Sequence, residues 1–107
     1  MVAAFQEVDF LLTPVSLGPP TYLSDFTQLD NRTRTTLDDV CTVGANLAGM
    51  PALSLPICLS PSTGLPLSLQ LIGPELSEPR LLRLAASIES RAAFPKLVNV
   101  VKLLDSI

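Results

Sequence analysis

Two leucine-rich runs that alternate with small or polar residues lie close together in the middle of the chain. In the first run, apolar residues occupy positions 53, 55, 57 and 59, and in the second they occupy positions 65, 67, 69 and 71. A period of two is the spacing of a β-strand. Residues 60–64, which join the runs, have the composition of a turn. The sequence therefore predicts two adjacent antiparallel strands. Pro56 should lie at a bulge or point away from its partner, because proline cannot donate to the ladder.

Four further elements are predicted around this pair. Apolar residues 8–15 predict a strand that is buried on both faces. A helix is predicted from a cap at residues 30–31 to Gly49. A second helix should begin at residues 77–79, where proline in the first turn costs little, and a short amphipathic helix is predicted after Pro95. The apolar stripe of the helix after position 77 comprises Leu81, Leu84, Ala85 and Ile88.

The helix that ends at Gly49 has two stripes at helical spacing. One is mostly small and apolar, and consists of Leu37, Val40, Cys41, Gly44, Ala45 and Ala48. The other is polar and nearly uncharged, and consists of Thr35, Asp39, Thr42 and Asn46. A solvent-facing stripe would normally carry lysine and glutamate. The polar stripe therefore indicates either a partly enclosed polar cavity or hydrogen bonds to a neighbouring backbone.

Composition excludes several classes of function. The 107 residues carry a net charge of −3 and contain no histidine. Without a basic patch the chain is not expected to bind nucleic acid directly, and without histidine it cannot form a histidine-based zinc site. Prolines interrupt the apolar runs, so no membrane span is expected. Cys41 and Cys58 are isolated among apolar residues and are predicted to be small buried thiols. A mean hydropathy of +0.45 predicts apolar surface that needs a partner.

Four segments carry a resemblance to a known family. They are Asn46-Leu47-Ala48-Gly49-Met50-Pro51-Ala52, Ser54-Leu55-Pro56, Gly64-Leu65-Pro66 and Leu69-Gln70-Leu71-Ile72-Gly73. They resemble the C-terminal signature of the amidase signature family. Residues 30–34 and the pair Asp38-Asp39 are similar to the mitochondrial branch of its glutamyl-tRNA(Gln) amidotransferase A subunits. The resemblance covers nearly the whole chain. It implies an α/β fold with a mixed β-sheet covered by helices, of which residues 1–107 would be the incomplete C-terminal portion.

The resembled subunits release ammonia from glutamine to convert Glu-tRNA(Gln) to Gln-tRNA(Gln) in organellar translation. Their serine nucleophile, second serine and lysine lie in an upstream Gly/Ser-rich region, so no catalytic residue is expected in this chain. Lys96 and Lys102 do not match the family's lysine. The serines at positions 54, 60, 62 and 68 have no adjacent base and are predicted to be structural. The alternatives are a fragment of another amidase signature hydrolase, or a non-catalytic truncated product.

Asp39 is the candidate substrate-binding residue that the resemblance implies. In the resembled proteins, an aspartate directly before a Val/Ile-x-Thr run contributes to holding the free amino acid glutamine, and Asp39 precedes Val40-Cys41-Thr42. An ionised carboxylate suits the ammonium group of glutamine. Asp38 is the competing candidate, but it lies about 100° around the predicted helix and is predicted to be a solvated charge. Arg32 and Arg34 are not assigned to the substrate carboxylate, and Thr42 and Asn46 are weaker candidates.

The resemblance also implies partners and a location. Amidotransferase subunits B and C would be the protein partners, and tRNA would be reached only through their complex. ATP and Mg²⁺ would be used by one of these partners, so no cofactor and no metal site are expected in this chain. The implied location is the mitochondrial matrix, although residues 1–7 lack the arginines of a transit peptide.

We expect the isolated 107-residue chain to be catalytically inert, because it contains neither the serine nucleophile nor the lysine of the resembled family. Ammonia release from glutamine and from a simple amide would be measured with the purified chain and with buffer alone. Turnover that stays with the chain through successive purification steps would contradict this expectation.

Overall fold

The computed structural model describes residues 2–20, 22–24 and 38–95. A short 3-10 helix, Val2–Gln6, precedes strand β1, Leu11–Pro14. Helix α1, Val43–Ala48, is followed by β2, Ala52–Leu59, by β3, Pro66–Ile72, and by helix α2, Glu78–Ala92. Strand β3 lies in the centre of the sheet and pairs antiparallel with β1 on one side and with β2 on the other. No helix within these described ranges is long and apolar enough to cross a membrane.

The predicted antiparallel pair is confirmed by the β2–β3 hairpin. Leu53 pairs with Leu71, and Leu55 pairs with Leu69. The register shifts between Pro56 and Cys58, whose partners, Ser68 and Leu67, are consecutive residues of β3. Ile57 is therefore the extra residue of a β-bulge, which confirms the prediction for Pro56.

Helix α2 covers one face of the sheet and confirms the predicted apolar stripe. Ser77 occupies the N-cap position without a side-chain capping hydrogen bond, and proline stands in the first turn. The buried core consists of Leu55, Leu71, Leu81 and Ala85, with Phe10, Leu53, Ile57, Leu84 and Ile88 packed against it. Full burial of one leucine side chain contributes about 1.5–3 kcal/mol, so this contact stabilises the packing of α2 on the sheet.

Strand β1 corrects the prediction for residues 8–15. It is four residues long, lies at the edge of the sheet, and leaves Leu12 54% exposed. Burial on both faces was therefore the wrong expectation. Helix α2 packs mainly on β2 and β3. An exposed ion pair, from Arg80 Nη2 to Asp9 Oδ1 at 2.8 Å, links the approach to β1 with α2. Exposed pairs of this kind contribute at most about 1 kcal/mol.

The predicted helix before Gly49 is interrupted within the described residues, because Asp38 is helical and the residues directly after it are not. Asp39 to Thr42 form a turn, and α1 begins only at Val43. Its end is as predicted, because Gly49 adopts a left-handed conformation with φ of 66° and Met50 N–H donates to the Ala45 carbonyl at 3.1 Å. The predicted cap at residues 30–31 and the predicted helix after Pro95 lie outside the described residues.

The α/β class is confirmed, and the sheet is covered by helix as expected. Both strand pairs are antiparallel. A parallel pair, which a mixed sheet also contains, does not occur within residues 2–20, 22–24 and 38–95.

Large apolar side chains remain at the surface of the described residues. Leu47 on α1 is 84% exposed, and Leu76 before α2 is 83% exposed. Others are Leu12, Leu17, Tyr22, Leu23, Val40, Val43 and Leu82. Exposure on this scale is typical of a surface that another protein part covers.

We therefore expect the isolated chain to aggregate or to bind an apolar fluorescent dye in its native buffer, because edge strand β1 and the apolar surface are uncovered. Dye fluorescence and light scattering would be compared with those of a compact monomeric protein of similar size. A monomer that unfolds in one cooperative transition without binding dye would show that the segment is self-sufficient.

Gly73 lies at the junction of β3 and α2, where neighbouring side chains leave no room for a Cβ atom. A Cβ atom at this position would overlap Ser77 Oγ and lie 3.4 Å from Phe10 Cε1. Ser77 is buried, and its Oγ has no hydrogen-bond partner among the described residues, so it does not cap α2. The Ser77 hydroxyl thus fills the space beside Gly73.

We expect Gly73→Ala to destabilise the chain by about 1–3 kcal/mol through overpacking. Ser77→Ala alone should cost little, and the double variant should recover most of the loss because the overlapping atom is Oγ. Pulse proteolysis in urea at low protein concentration measures the change, with Gly18→Ala as a control at a position where a Cβ meets nothing within 4 Å. An equal loss in the double variant would exclude the overlap as the cause.

Candidate functional site

Asp39 opens the turn that leads into α1. Its main-chain carbonyl accepts hydrogen bonds from Thr42 N–H and Val43 N–H, each at 2.9 Å, and from Thr42 Oγ1 at 3.2 Å. These bonds close the turn locally. The Asp39 side chain is exposed, so the turn presents the carboxylate outwards from a fixed main chain.

Gln70 connects this turn to the sheet. It is 5% exposed and lies in central strand β3, where it points to the face opposite Leu69 and Leu71. Its Nε2 donates to the Cys41 carbonyl at 2.8 Å and to Thr13 Oγ1 at 2.9 Å. One buried amide therefore joins β1, β3 and the turn that carries Asp39.

The polar stripe differs from the sequence prediction. Asp39 and Asn46 are exposed and Thr42 is half-buried, while Thr35 lies outside the described residues. The turn interrupts the helix on which the stripe was based, so these side chains no longer follow one helical face. Only Thr42 among the three makes a side-chain bond to the backbone, and its acceptor is the Asp39 carbonyl of the same turn.

A groove of about 690 Å³ lies at the start of β3. Its lining comprises residues 14–20, 57–58 and 66–69, together with Asp38. The structure thus brings Asp38, the competing candidate, to a mainly apolar groove and leaves Asp39 outside it. A free amino acid also needs a cation for its carboxylate. The described lining residues include no lysine or arginine, but the same requirement applies to Asp39, so it does not separate the two candidates.

The serines occupy the hairpin. Ser60 Oγ and Ser62 Oγ lie 3.1 Å apart, and Thr63 N–H donates to Ser60 Oγ at 3.3 Å. Ser54 lies on β2 and Ser68 on β3. The described part of the chain holds no lysine that could activate them.

The two cysteines are free thiols. Cys41 is half-buried, but Cys58 is exposed because it lies on the outward side of β2, so the prediction of a buried thiol is wrong for Cys58. Within the described ranges, no group of three or more His, Cys, Asp or Glu residues could hold a metal ion.

Reasoning from the sequence assigned no role to Gln70. The available signal was an uncharged amide within the otherwise apolar end of β3. A polar side chain that is buried in a sheet requires hydrogen-bond partners. The sequence could not identify those partners, because Thr13 and Cys41 are 57 and 29 residues away along the chain.

Comparison with known proteins identifies a family and several relatives. The Amidase family profile matches residues 1–82. The chain is 50% identical to the mitochondrial glutamyl-tRNA(Gln) amidotransferase A subunit of Aedes aegypti over 96 aligned residues, or 90% of this chain. The protein of the same name from Anopheles gambiae is 48% identical over 93 residues, or 87% of this chain. That from Bos taurus is 42% identical over 98 residues, or 92% of this chain.

These matches cover only part of each relative. The aligned regions amount to 19% of the Aedes and Anopheles proteins and 18% of the Bos protein. The chain therefore spans about a fifth of the length of the curated relatives that it matches.

Proposed function

The chain belongs to the amidase family, and we propose that it forms the glutamine-binding end of the A subunit of a glutamyl-tRNA(Gln) amidotransferase. The identity of 42–50% across most of the chain supports this assignment. The structural observation that carries the proposal is the closed turn that presents the Asp39 carboxylate outwards.

Asp39 would hold the α-ammonium group of glutamine. A charge-assisted hydrogen bond between a carboxylate and an ammonium contributes about 1.5–3 kcal/mol. Three hydrogen bonds fix the Asp39 carbonyl, so little main-chain freedom would be lost when the carboxylate takes up this geometry.

We assign the chemical step to the rest of the subunit. A serine nucleophile there would attack the side-chain amide of glutamine, and the lysine would relay the protons that allow ammonia to leave. The exposed apolar side chains of this chain fit a surface that the rest of the subunit covers. Covering the turn in this way would also exclude water from the pair formed by Asp39 and the ammonium.

The B and C subunits would be the partners, and tRNA would be reached through their complex. With a net charge of −3, this chain offers little attraction for tRNA phosphates. ATP and Mg²⁺ would act in one of the partners. The relatives are named as mitochondrial proteins, which supports a mitochondrial location, and the matrix is the compartment we propose.

We expect Asp39→Asn to weaken glutamine use by about ten- to a hundredfold, because it keeps the side-chain shape and removes the charge that binds the ammonium. The variant would be made in the amidotransferase complex that contains this segment. Glutamine-dependent transamidation measures the loss. Transamidation with ammonia should survive, because ammonia bypasses the glutamine site.

Asp38→Asn is the matched control, since it removes the same charge from the neighbouring residue. It should change glutamine use little. Equal loss of the glutamine- and ammonia-dependent activities in Asp39→Asn, or a larger effect from Asp38→Asn, would refute the role of Asp39. A complex that hydrolyses other amides and does not use glutamine would instead favour a different hydrolase of the amidase family.

A further inference from the structure

We propose that Gln70 is a positioning residue that sets where the Asp39 carboxylate stands relative to the sheet. This inference rests on the proposed function, because it concerns the same glutamine site. Gln70 would not touch glutamine. It would act through the Cys41 carbonyl, which lies two residues beyond Asp39 in the same turn.

The Gln70 side chain is well suited to hold the turn. It projects from central strand β3, which is paired on both sides and is therefore the most constrained strand of the sheet. The residue is 5% exposed, and both contacts of its Nε2 are 2.9 Å or shorter. An amide nitrogen has two N–H donors, and the two acceptors, Thr13 and Cys41, can use both. The amide is therefore held from β1 while it holds the turn.

The Asp39 turn needs such an attachment. The three bonds that close it, from Thr42 N–H, Val43 N–H and Thr42 Oγ1 to the Asp39 carbonyl, all lie within the turn itself. They fix its shape and do not fix its position. Downstream, α1 is anchored by Ala45, which is buried. The bond from Gln70 to Cys41 adds a second attachment on the Asp39 side of Ala45, and two attachments restrict rotation of the turn about either one.

A purely structural role for Gln70 makes a different prediction. If the amide only satisfied buried polar groups, its two bonds would be equivalent and their loss would lower stability without a specific effect on glutamine. If Gln70 positions Asp39, the bond to Cys41 matters for glutamine binding and the bond to Thr13 matters much less. The two acceptors lie on different elements, so they can be separated by mutation.

The test uses the complete amidotransferase complex and steady-state kinetics. Gln70→Met keeps an unbranched side chain of similar length and removes both donors. We expect it to raise KM for glutamine by about tenfold, with kcat and ammonia-dependent transamidation near the unmodified values. Gln70→Asn is the milder variant if Gln70→Met fails to assemble. This substitution keeps the amide group but shortens the side chain by one methylene. It should therefore lose the hydrogen bond to the Cys41 carbonyl and also raise KM for glutamine.

Thr13→Val is the matched control, because it removes the other acceptor of the same amide and nearly keeps the side-chain shape. It should change KM for glutamine by no more than about twofold, since a neutral hydrogen bond contributes modestly and the bond to Cys41 remains. A rise in KM as large as that of the Gln70 variants would overturn the inference in favour of a general structural role.

Double variants identify the residue through which Gln70 acts. In an Asp39→Asn background, a Gln70 substitution should raise KM no further, because the carboxylate that it positions is already lost. Hydrogen exchange at the amides of Thr42 and Val43 should become faster in the Gln70 variants. Exchange at the Leu81 amide, which donates to the Ser77 carbonyl on the other face of the sheet, should not change.

The possible failures are distinguishable. If Asp39→Asn impairs glutamine use and the Gln70 variants leave KM unchanged, or raise it equally in both backgrounds, the positioning role is wrong and the proposed function stands. If Asp39→Asn has no effect on glutamine use, the proposed role of Asp39 fails and the positioning role fails with it. Hydrogen exchange then still reports whether Gln70 holds the turn.

Discussion

The register in which β2 and β3 pair determines which side chains lie on each face of the sheet. With Leu53 opposite Leu71 and Leu55 opposite Leu69, these four leucines point to the face that α2 covers. Because neighbouring residues in a strand point to opposite faces, Gln70 must then point the other way. A slip of one residue would place the amide under α2 and the leucines beside the Asp39 turn. The bulge at Ile57 lets the pairing continue past Pro56.

The two faces of β3 contribute in different ways. Under α2, the contact among Leu55, Leu71 and Leu81 is apolar and non-directional, and it stabilises the sheet by removing area from water. On the other face, the Gln70 amide makes directional bonds at fixed distances. Leaving such a buried amide without partners would cost about 1–3 kcal/mol. The apolar face therefore holds the helix in place, whereas the polar face specifies the position of a turn.

The surface of the chain shows how the proposed site relates to the rest of the protein. The chain spans about a fifth of its relatives' length and leaves large apolar side chains such as Leu47 and Leu76 exposed. Asp39 is exposed as well. An exposed carboxylate binds an ammonium weakly in water, since water screens the pair. Under the proposed function, the surface that buries the apolar side chains would also enclose the glutamine site, so stability and substrate binding would depend on the same contact.

The sequence by itself determined the elements that short-range patterns define. Period-two leucines predicted β2 and β3, Pro56 predicted the bulge, Gly49 predicted the end of α1, and the stripe from Leu81 to Ile88 predicted the buried face of α2. Each of these depends on neighbouring residues along the chain, where spacing and backbone restrictions act directly. The aspartate pair was also recognised from the sequence, through the resemblance of the residues around it.

The tertiary structure decided the features that depend on distant residues. Residues 8–15 gave only a short strand, which pairs with β3 alone and therefore lies at the edge of the sheet. The predicted helix is replaced by a turn at Asp39. This turn is bound to the sheet by the hydrogen bond from Gln70 to the Cys41 carbonyl, two residues that lie 29 positions apart in the chain. Through this hydrogen bond Gln70 joins the turn to the sheet, which the pattern of residues around Gln70 did not predict. Hydrogen-bond partners of a buried group are set by which elements meet in space, and no periodicity of a single segment records that meeting.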